Sequence, residues 1–156
     1  MSDKLQALSD RAEIEDLVHR LGRALDERRF DDMRDILVED ATARTPGGLA
    51  EGRDAMIAQA QRNHPVEDQI QHVISGVLID LAGDSATVRA NLVATFIRAD
   101  TASRQHMVLG EVYRFHARRT SDGWRLSSVV TQPVWATEPA AVDLVELLAR
   151  RPAQRA

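Results

Sequence analysis

From Ile14 the apolar residues Leu17, Val18, Leu21 and Leu25 recur at offsets of three and four, the stripe of an amphipathic helix. Ser9 and Asp10 stand before that stripe with Glu13 at capping-box spacing, which predicts the helix start there. A shorter helix is predicted over 31–37 and a third over 53–61, with Thr45-Pro46-Gly47-Gly48 breaking regular structure between them. After His64-Pro65 the pattern changes to extended, β-branched runs. Strands are predicted over 70–81 and 86–98, joined by Ala82-Gly83-Asp84, then over 105–118 and 124–135, joined by Ser121-Asp122-Gly123. Pro139 opens a last helix, running to about 150, with Ala141, Leu144, Val145 and Leu148 on one face and Arg150-Arg151-Pro152 as its stop.

Helices followed by a meander of long strands make an α+β fold: a curved antiparallel sheet, cone-shaped, wrapped on the N-terminal helices. With neither an internal repeat nor a linker in its 156 residues, the whole chain is expected to form one domain. Strands with apolar residues on both faces need cover on both, by the helices on one side and by another layer or subunit on the other. A homo-oligomer, dimer or trimer, is therefore expected. The terminal helix is placed as a lid or as an element exchanged with a neighbour.

Composition narrows the chemistry. A formal charge of -4 with dispersed arginines gives no electrostatic footprint for nucleic acid. The absence of cysteine excludes thiolate nucleophiles, Cys-based zinc sites and iron–sulfur clusters. Neither His-x-His nor His-Glu-x-x-His occurs, and there is no Gly-x-Gly-x-x-Gly or phosphate loop, so neither metal nor cofactor is expected. The start Met1-Ser2-Asp3-Lys4-Leu5-Gln6 lacks a signal-peptide core, and no apolar run reaches membrane-span length, so the reading is a cytoplasmic protein with no membrane partner.

A curved sheet on helices wraps a hollow, and pockets of this kind are mostly apolar with a few placed polar groups. Val18, Leu21, Met33, Met56, Val88, Leu92 and Leu109 either line such a cavity or fill a solid core. Period-two alternation turns His72 to the same face as Ile70 and Ile74. It is either a satisfied core residue or a working imidazole, and the second role needs a partner. Asp26, at the end of the first helix, is either solvated or that partner; the missing side chain of Gly22, one turn earlier, leaves space beside it for a substrate. His106, at a strand start, is a candidate second acid or base, whereas His19, His64 and His116 fit surface roles. Tyr113, Trp124 and Trp135 are core aromatics by default, with Trp135 also a candidate for the pocket wall.

The stretch from Asp10-Arg11-Ala12-Glu13-Ile14-Glu15-Asp16-Leu17 to Ala24-Leu25-Asp26 resembles the first helix of the SnoaL-like group in the nuclear-transport-factor-2-like superfamily. The likeness continues through Val38-Glu39-Asp40-Ala41, Gly52-Arg53-Asp54-Ala55-Met56-Ile57, Gln71-His72-Val73-Ile74-Ser75-Gly76, Gly83-Asp84-Ser85-Ala86, Gly110 and Asp122-Gly123-Trp124-Arg125. This resemblance implies the cystatin-like α+β barrel. Asp26 and His72 match the acid–base dyad of hexachlorocyclohexane dehydrochlorinase, scytalone dehydratase and bile-acid dehydratase. The chain departs from the scytalone dehydratase pattern at Leu25, where that pattern has tyrosine. It departs from the dehydrochlorinase around Ser128-Val129-Val130, which lack the arginine that assists chloride.

What the resemblance implies is a cofactor-independent lyase or isomerase, dehydratase-like, acting on a small lipophilic alcohol or ketone through the His–Asp pair. The alternative is a non-catalytic ligand-binding or assembly module on the same fold.

Overall fold

The computed structural model describes residues 2–97 and 106–137. Helix α1 (Ser2–Asp26) leads through a 3-10 turn (Phe30–Asp35) into strand β1 (Leu37–Thr45), which pairs antiparallel with β2 (Gly48–Glu51). Helix α2 (Arg53–Asn63) follows, then the long strands β3 (Gln69–Ala82), β4 (Ser85–Ile97), β5 (His106–Thr120) and β6 (Gly123–Ala136). They form one curved six-stranded sheet in the order β2-β1-β6-β5-β4-β3, unclosed, with β2 and β3 at its edges.

The α+β class and the four-strand meander agree with the sequence reading, and three local readings are corrected. Helix α1 runs on upstream to Ser2, so Ser9, Asp10 and Glu13 are interior and cap nothing. The segment expected as a helix over 31–37 is only a 3-10 turn, and its last residue already belongs to β1. Strands β1 and β2 went unpredicted, and because β1 runs parallel to β6 the sheet is mixed rather than wholly antiparallel. The cause is visible in β1: Leu37 and Val38 are buried in succession and Ala41 and Ala43 follow after a register shift, so period-two alternation is broken. Thr45-Pro46-Gly47-Gly48 is the hairpin between these strands, with Gly48 at φ +114°. The helix expected from Pro139 lies outside the described residues. Among the described residues no helix is long and apolar enough to cross a membrane.

The core lies between the stripe of α1 and the inner face of the sheet. Ile14, Leu17, Val18, Leu21 and Leu25 are buried in one cluster with Ala86, Val88, Ala90, Leu92 and Ala94, every second residue of β4. In β3 the inward phase switches from Ile70, His72 and Ile74 to Val77, Ile79 and Leu81 across a bulge, where Gly76 sits at φ +58°. That single inserted residue lets one strand present His72 at one end and still pack apolar side chains at the other.

Asp10 replaces its expected cap role with a tether between α1 and the sheet. Its buried carboxylate accepts from Gln6 Nε2 (3.0 Å), Trp124 Nε1 (3.1 Å) and an Arg119 nitrogen (2.7 Å), while the Arg119 guanidinium lies 4.6 Å over the Trp124 ring. These bonds, Arg119 foremost, hold the Asp10 carboxyl well below the usual carboxylate range against the opposing pull of burial. The cluster ties α1 to β5 through Arg119 and to β6 through Trp124.

On the opposite face of the sheet an apolar row runs across four strands. Val73 pairs with Val93, Val93 with Gly110 and Gly110 with Trp135. Their exposures are 54% for Val73, 37% for Val93 and 46% for Trp135. The Trp135 ring covers Gly110, where an added Cβ would come within 2.2 Å of it.

Candidate active site

A cavity of about 140 Å³ opens between α1, α2 and the inner face of the sheet. Leu21 and Leu25 reach it from α1, Met33 from the 3-10 turn, and Met56, Gln59, Ala60 and Asn63 from α2. The sheet contributes Ala43 and Thr45 from β1, His72 from β3, Phe96 from β4, Glu111 and Tyr113 from β5, and Val129 and Thr131 from β6; Pro46 and His64 complete the rim.

Asp26, the last residue of α1, meets His72 of β3 at this cavity. The His72 backbone N–H donates to both carboxylate oxygens, at 2.9 and 3.1 Å, and its ring Nδ1 lies 2.6 Å from Asp26 Oδ1. An ionised carboxylate only accepts, so Nδ1 carries the hydrogen and Nε2 keeps a free lone pair. The side chains are 5% exposed for His72 and 25% for Asp26, so water reaches the acid more than the imidazole. A carboxylate at a helix C-terminus opposes the macrodipole. Here the two N–H groups of His72 compensate.

The turn after α1 is built to bring these two residues together. Arg28 adopts φ +55°, a left-handed conformation that costs a side-chain-bearing residue about 1–2 kcal/mol. From it the guanidinium donates to the carbonyls of Pro65, at 2.8 Å, and Asp68. The helix end is thereby clamped to the loop that feeds β3.

Beside the pair stands His64, at the C-terminal end of α2. Its Nδ1 lies 2.7 Å from the Ala60 carbonyl and therefore donates to it, leaving Nε2 buried and without a hydrogen-bond partner. The ring is 5.5 Å from that of His72. Burial pushes the His64 imidazole down, with His72 and Arg28 adding to the push and the Ala60 carbonyl and Asp26 opposing it. Phe96 closes the other side of His72, edge to face at 6.3 Å.

Across the cavity, Glu111 is 7% exposed and its Oε1 has no hydrogen-bond partner, nor does the buried Thr131 hydroxyl. Burial pushes the Glu111 carboxyl up, while the nearby Thr131 hydroxyl and His72 work against the rise. Burial likewise raises the Tyr113 phenol, reinforced by Glu111 and Asp26, and keeps it protonated.

Of the residues expected at the wall, Leu21, Met33 and Met56 line the cavity. Val18, Val88, Leu92 and Leu109 are buried outside its lining; Val18, Val88 and Leu92 pack in the core between α1 and the sheet. The space expected at Gly22 is filled, because Ile74 Cδ1 stands 3.0 Å from where its Cβ would be, so the glycine serves close helix–strand approach. Trp135 is on the outer face: a register shift between Gly110 and Glu111 adds a residue to β6 and turns its end outward. His106 begins β5, but its side chain lies outside the described residues. His19 is half exposed beside Glu15, and His116 is exposed.

Sequence reasoning placed His64 on the surface and passed over Glu111 and Thr131. For Glu111 a signal existed, since Glu111, Tyr113, Phe115 and Ala117 alternate on one strand face and put a carboxyl on the buried phase. His64 had none, because it stands past the end of α2 in a loop before Pro65, where no period reports burial. Among the described residues no three of His, Asp and Glu gather as a metal ion would require.

Comparison with known proteins agrees with this architecture. The model of the SnoaL-like domain matches residues 6–130. The protein Rv2910c of Mycobacterium tuberculosis strain H37Rv, uncharacterised, is 32% identical over 125 residues, 76% of this chain and 82% of its own. Hexachlorocyclohexane dehydrochlorinase LinA-type3 from Novosphingobium barchaimii LL02 superposes with a TM-score of 0.78 at 18% identity, covering 86% of this chain and 92% of its own. A candidate scytalone dehydratase from Novosphingobium aromaticivorans DSM 12444 gives 0.76 at 21% identity, covering 88% and 91%. At these identities the two structures share the fold.

The unpartnered His64 has a pH signature. Its folded-state value lies below the ordinary 6.5, so its contribution to stability is fully present above pH 6.5 and declines as pH falls through that value towards the folded one. His64→Gln should flatten this decline. Urea midpoints measured against pH for both proteins check it; identical slopes would contradict the buried neutral imidazole.

Proposed function

The chain belongs to the SnoaL-like domain family, and from that premise we propose that it is a cofactor-independent lyase or isomerase acting on a small lipophilic alcohol or ketone. The observation that carries this reading is the 2.6 Å contact of His72 Nδ1 with Asp26 at the wall of a largely apolar cavity. His72 Nε2 takes a proton from a carbon next to a carbonyl, and Asp26 stabilises the imidazolium that forms. The electrons left on carbon then expel a hydroxyl or pick up a proton at another carbon. Leu21, Leu25, Met33, Met56, Phe96 and Val129 favour an alicyclic or aromatic skeleton over a charged one.

Two of the similar folds bear the names of elimination enzymes, which supports the same class of step here. The cavity wall carries no arginine or lysine among the described residues, which favours a leaving group that departs neutral, as water, over one that departs as halide.

The reading also includes self-association. We propose that a second copy of the chain covers the row of Val73, Val93 and Trp135 in a dimer or trimer. Val93→Asp should then sediment as a smaller species than wild type, and an unchanged sedimentation coefficient would remove this row from the interface.

A direct assay uses 3-hydroxy-1-tetralone, whose loss of water yields the fluorescent 1-naphthol. His72→Ala and Asp26→Asn should each lower the rate by about 10² to 10⁴, the usual worth of positioned acid–base catalysis, with circular dichroism unchanged. Folded variants that keep the wild-type rate would refute the dyad.

A further inference from the structure

We propose that the Glu111 carboxyl and the Thr131 hydroxyl form the subsite that takes the substrate's departing hydroxyl, with Glu111 as the proton donor to it. This deepens the elimination reading above and rests on it.

Glu111 lies on the inner face of β5, flanked by buried Leu109 and Tyr113. Its partner across the β5–β6 ladder is Pro133, whose ring offers no donor, and Thr131 is the diagonal neighbour, paired with Tyr113. Both Glu111 Oε1 and Thr131 Oγ1 are buried, line the cavity and lack hydrogen-bond partners. Buried polar groups are almost always satisfied, so two adjoining orphans on one cavity wall mark a place shaped for a polar atom of a ligand. A hydroxyl oxygen can accept from one of them and donate to the other.

The register sets the span. Glu111 pairs with Leu92 and Leu92 with Ile74, one inward position beyond His72. Two strand spacings separate the acid from the strand of the base, roughly 10 Å of backbone, which suits a small ring held between them. Among the described residues no arginine or lysine lines the wall to stabilise a leaving hydroxide. An ionised Glu111 with an unpartnered oxygen would be costly in this setting, and burial favours its protonated form.

The step balances. His72 Nε2 takes the proton from carbon, the C–H electrons become the new C=C bond, and the C–O pair leaves with oxygen. That oxygen takes the Glu111 proton and departs as water. The imidazolium and the carboxylate that remain reset when a proton returns from His72 to Glu111 through a water molecule.

The test separates the acid from the base. Incubated with 3-hydroxy-1-tetralone in D2O, Glu111→Gln keeps a hydrogen-bond donor but has no proton to give. Its 1-naphthol formation should fall at least about 100-fold while C2 hydrogen exchange, the His72 half of the reaction, stays within about threefold of wild type. His72→Ala should lose both. Loss of neither or of both activities in Glu111→Gln overturns the assignment of Glu111; retention of exchange in His72→Ala overturns the base instead. Independently of substrate, infrared difference spectra of wild type against Glu111→Gln, recorded through a pH titration, should show the C=O stretch of one protonated carboxyl persisting above the ordinary glutamate value of 4.5. Conversion to the carboxylate band at or below that value overturns the proposal.

Discussion

One carboxylate joins the two halves of this protein. Asp26 receives both the backbone and the ring N–H of His72, so the end of α1 and the first inward turn of β3 are held by the same two oxygens. The contact spans 46 positions of sequence and is made only because other constraints bring its ends together. Arg28 clamps the helix end to the loop before β3, Gly22 lets Ile74 come against the helix, and the bulge at Gly76 allows His72 and Ile79 to share one face of the sheet. Each device is local, and each has the same result, a fixed imidazole with one tautomer and a free Nε2.

Around that imidazole the cavity is apolar but not uniformly so. Of the five buried side-chain polar atoms without partners among the described residues, three, on His64, Glu111 and Thr131, sit on its wall, and the other two are the Nε atoms of Arg28 and Arg53. In a folded protein such atoms are unfavourable unless something compensates, and a ligand that supplies the missing bonds is one source of compensation. The burial that shifts His64 down and Glu111 up has the same sign of consequence for both, since each is pushed towards its neutral form. A neutral acceptor on one side and a neutral donor on the other suit an uncharged substrate.

Much of this was legible in the chain where one period dominates. The α1 stripe, the β4 alternation and the inward phase of His72 follow from spacing alone, and the long strands fall within about two residues of where β-branched runs place them. Reading failed where a period is interrupted or where burial is decided from afar. The register shift in β1 hid two strands, and the one in β6 turned Trp135 outward. His64 faces the cavity from the end of α2, beside a loop whose Pro65 carbonyl is held by an arginine thirty-six residues before the histidine, which no local pattern encodes. The Asp10 reading failed for another reason: a capping motif and a buried tether use the same residue type, and only the position of Arg119 and Trp124 distinguishes them.

The tautomer of His72 decides whether Nε2 can act as the base, and nitrogen-resolved NMR of the imidazole rings reads it directly without any substrate. A proton fixed on Nδ1, slow to exchange with water, beside an unprotonated Nε2 is the predicted result. A proton on Nε2, or a ring averaging between tautomers, would contradict the Asp26 contact and with it the base proposed here.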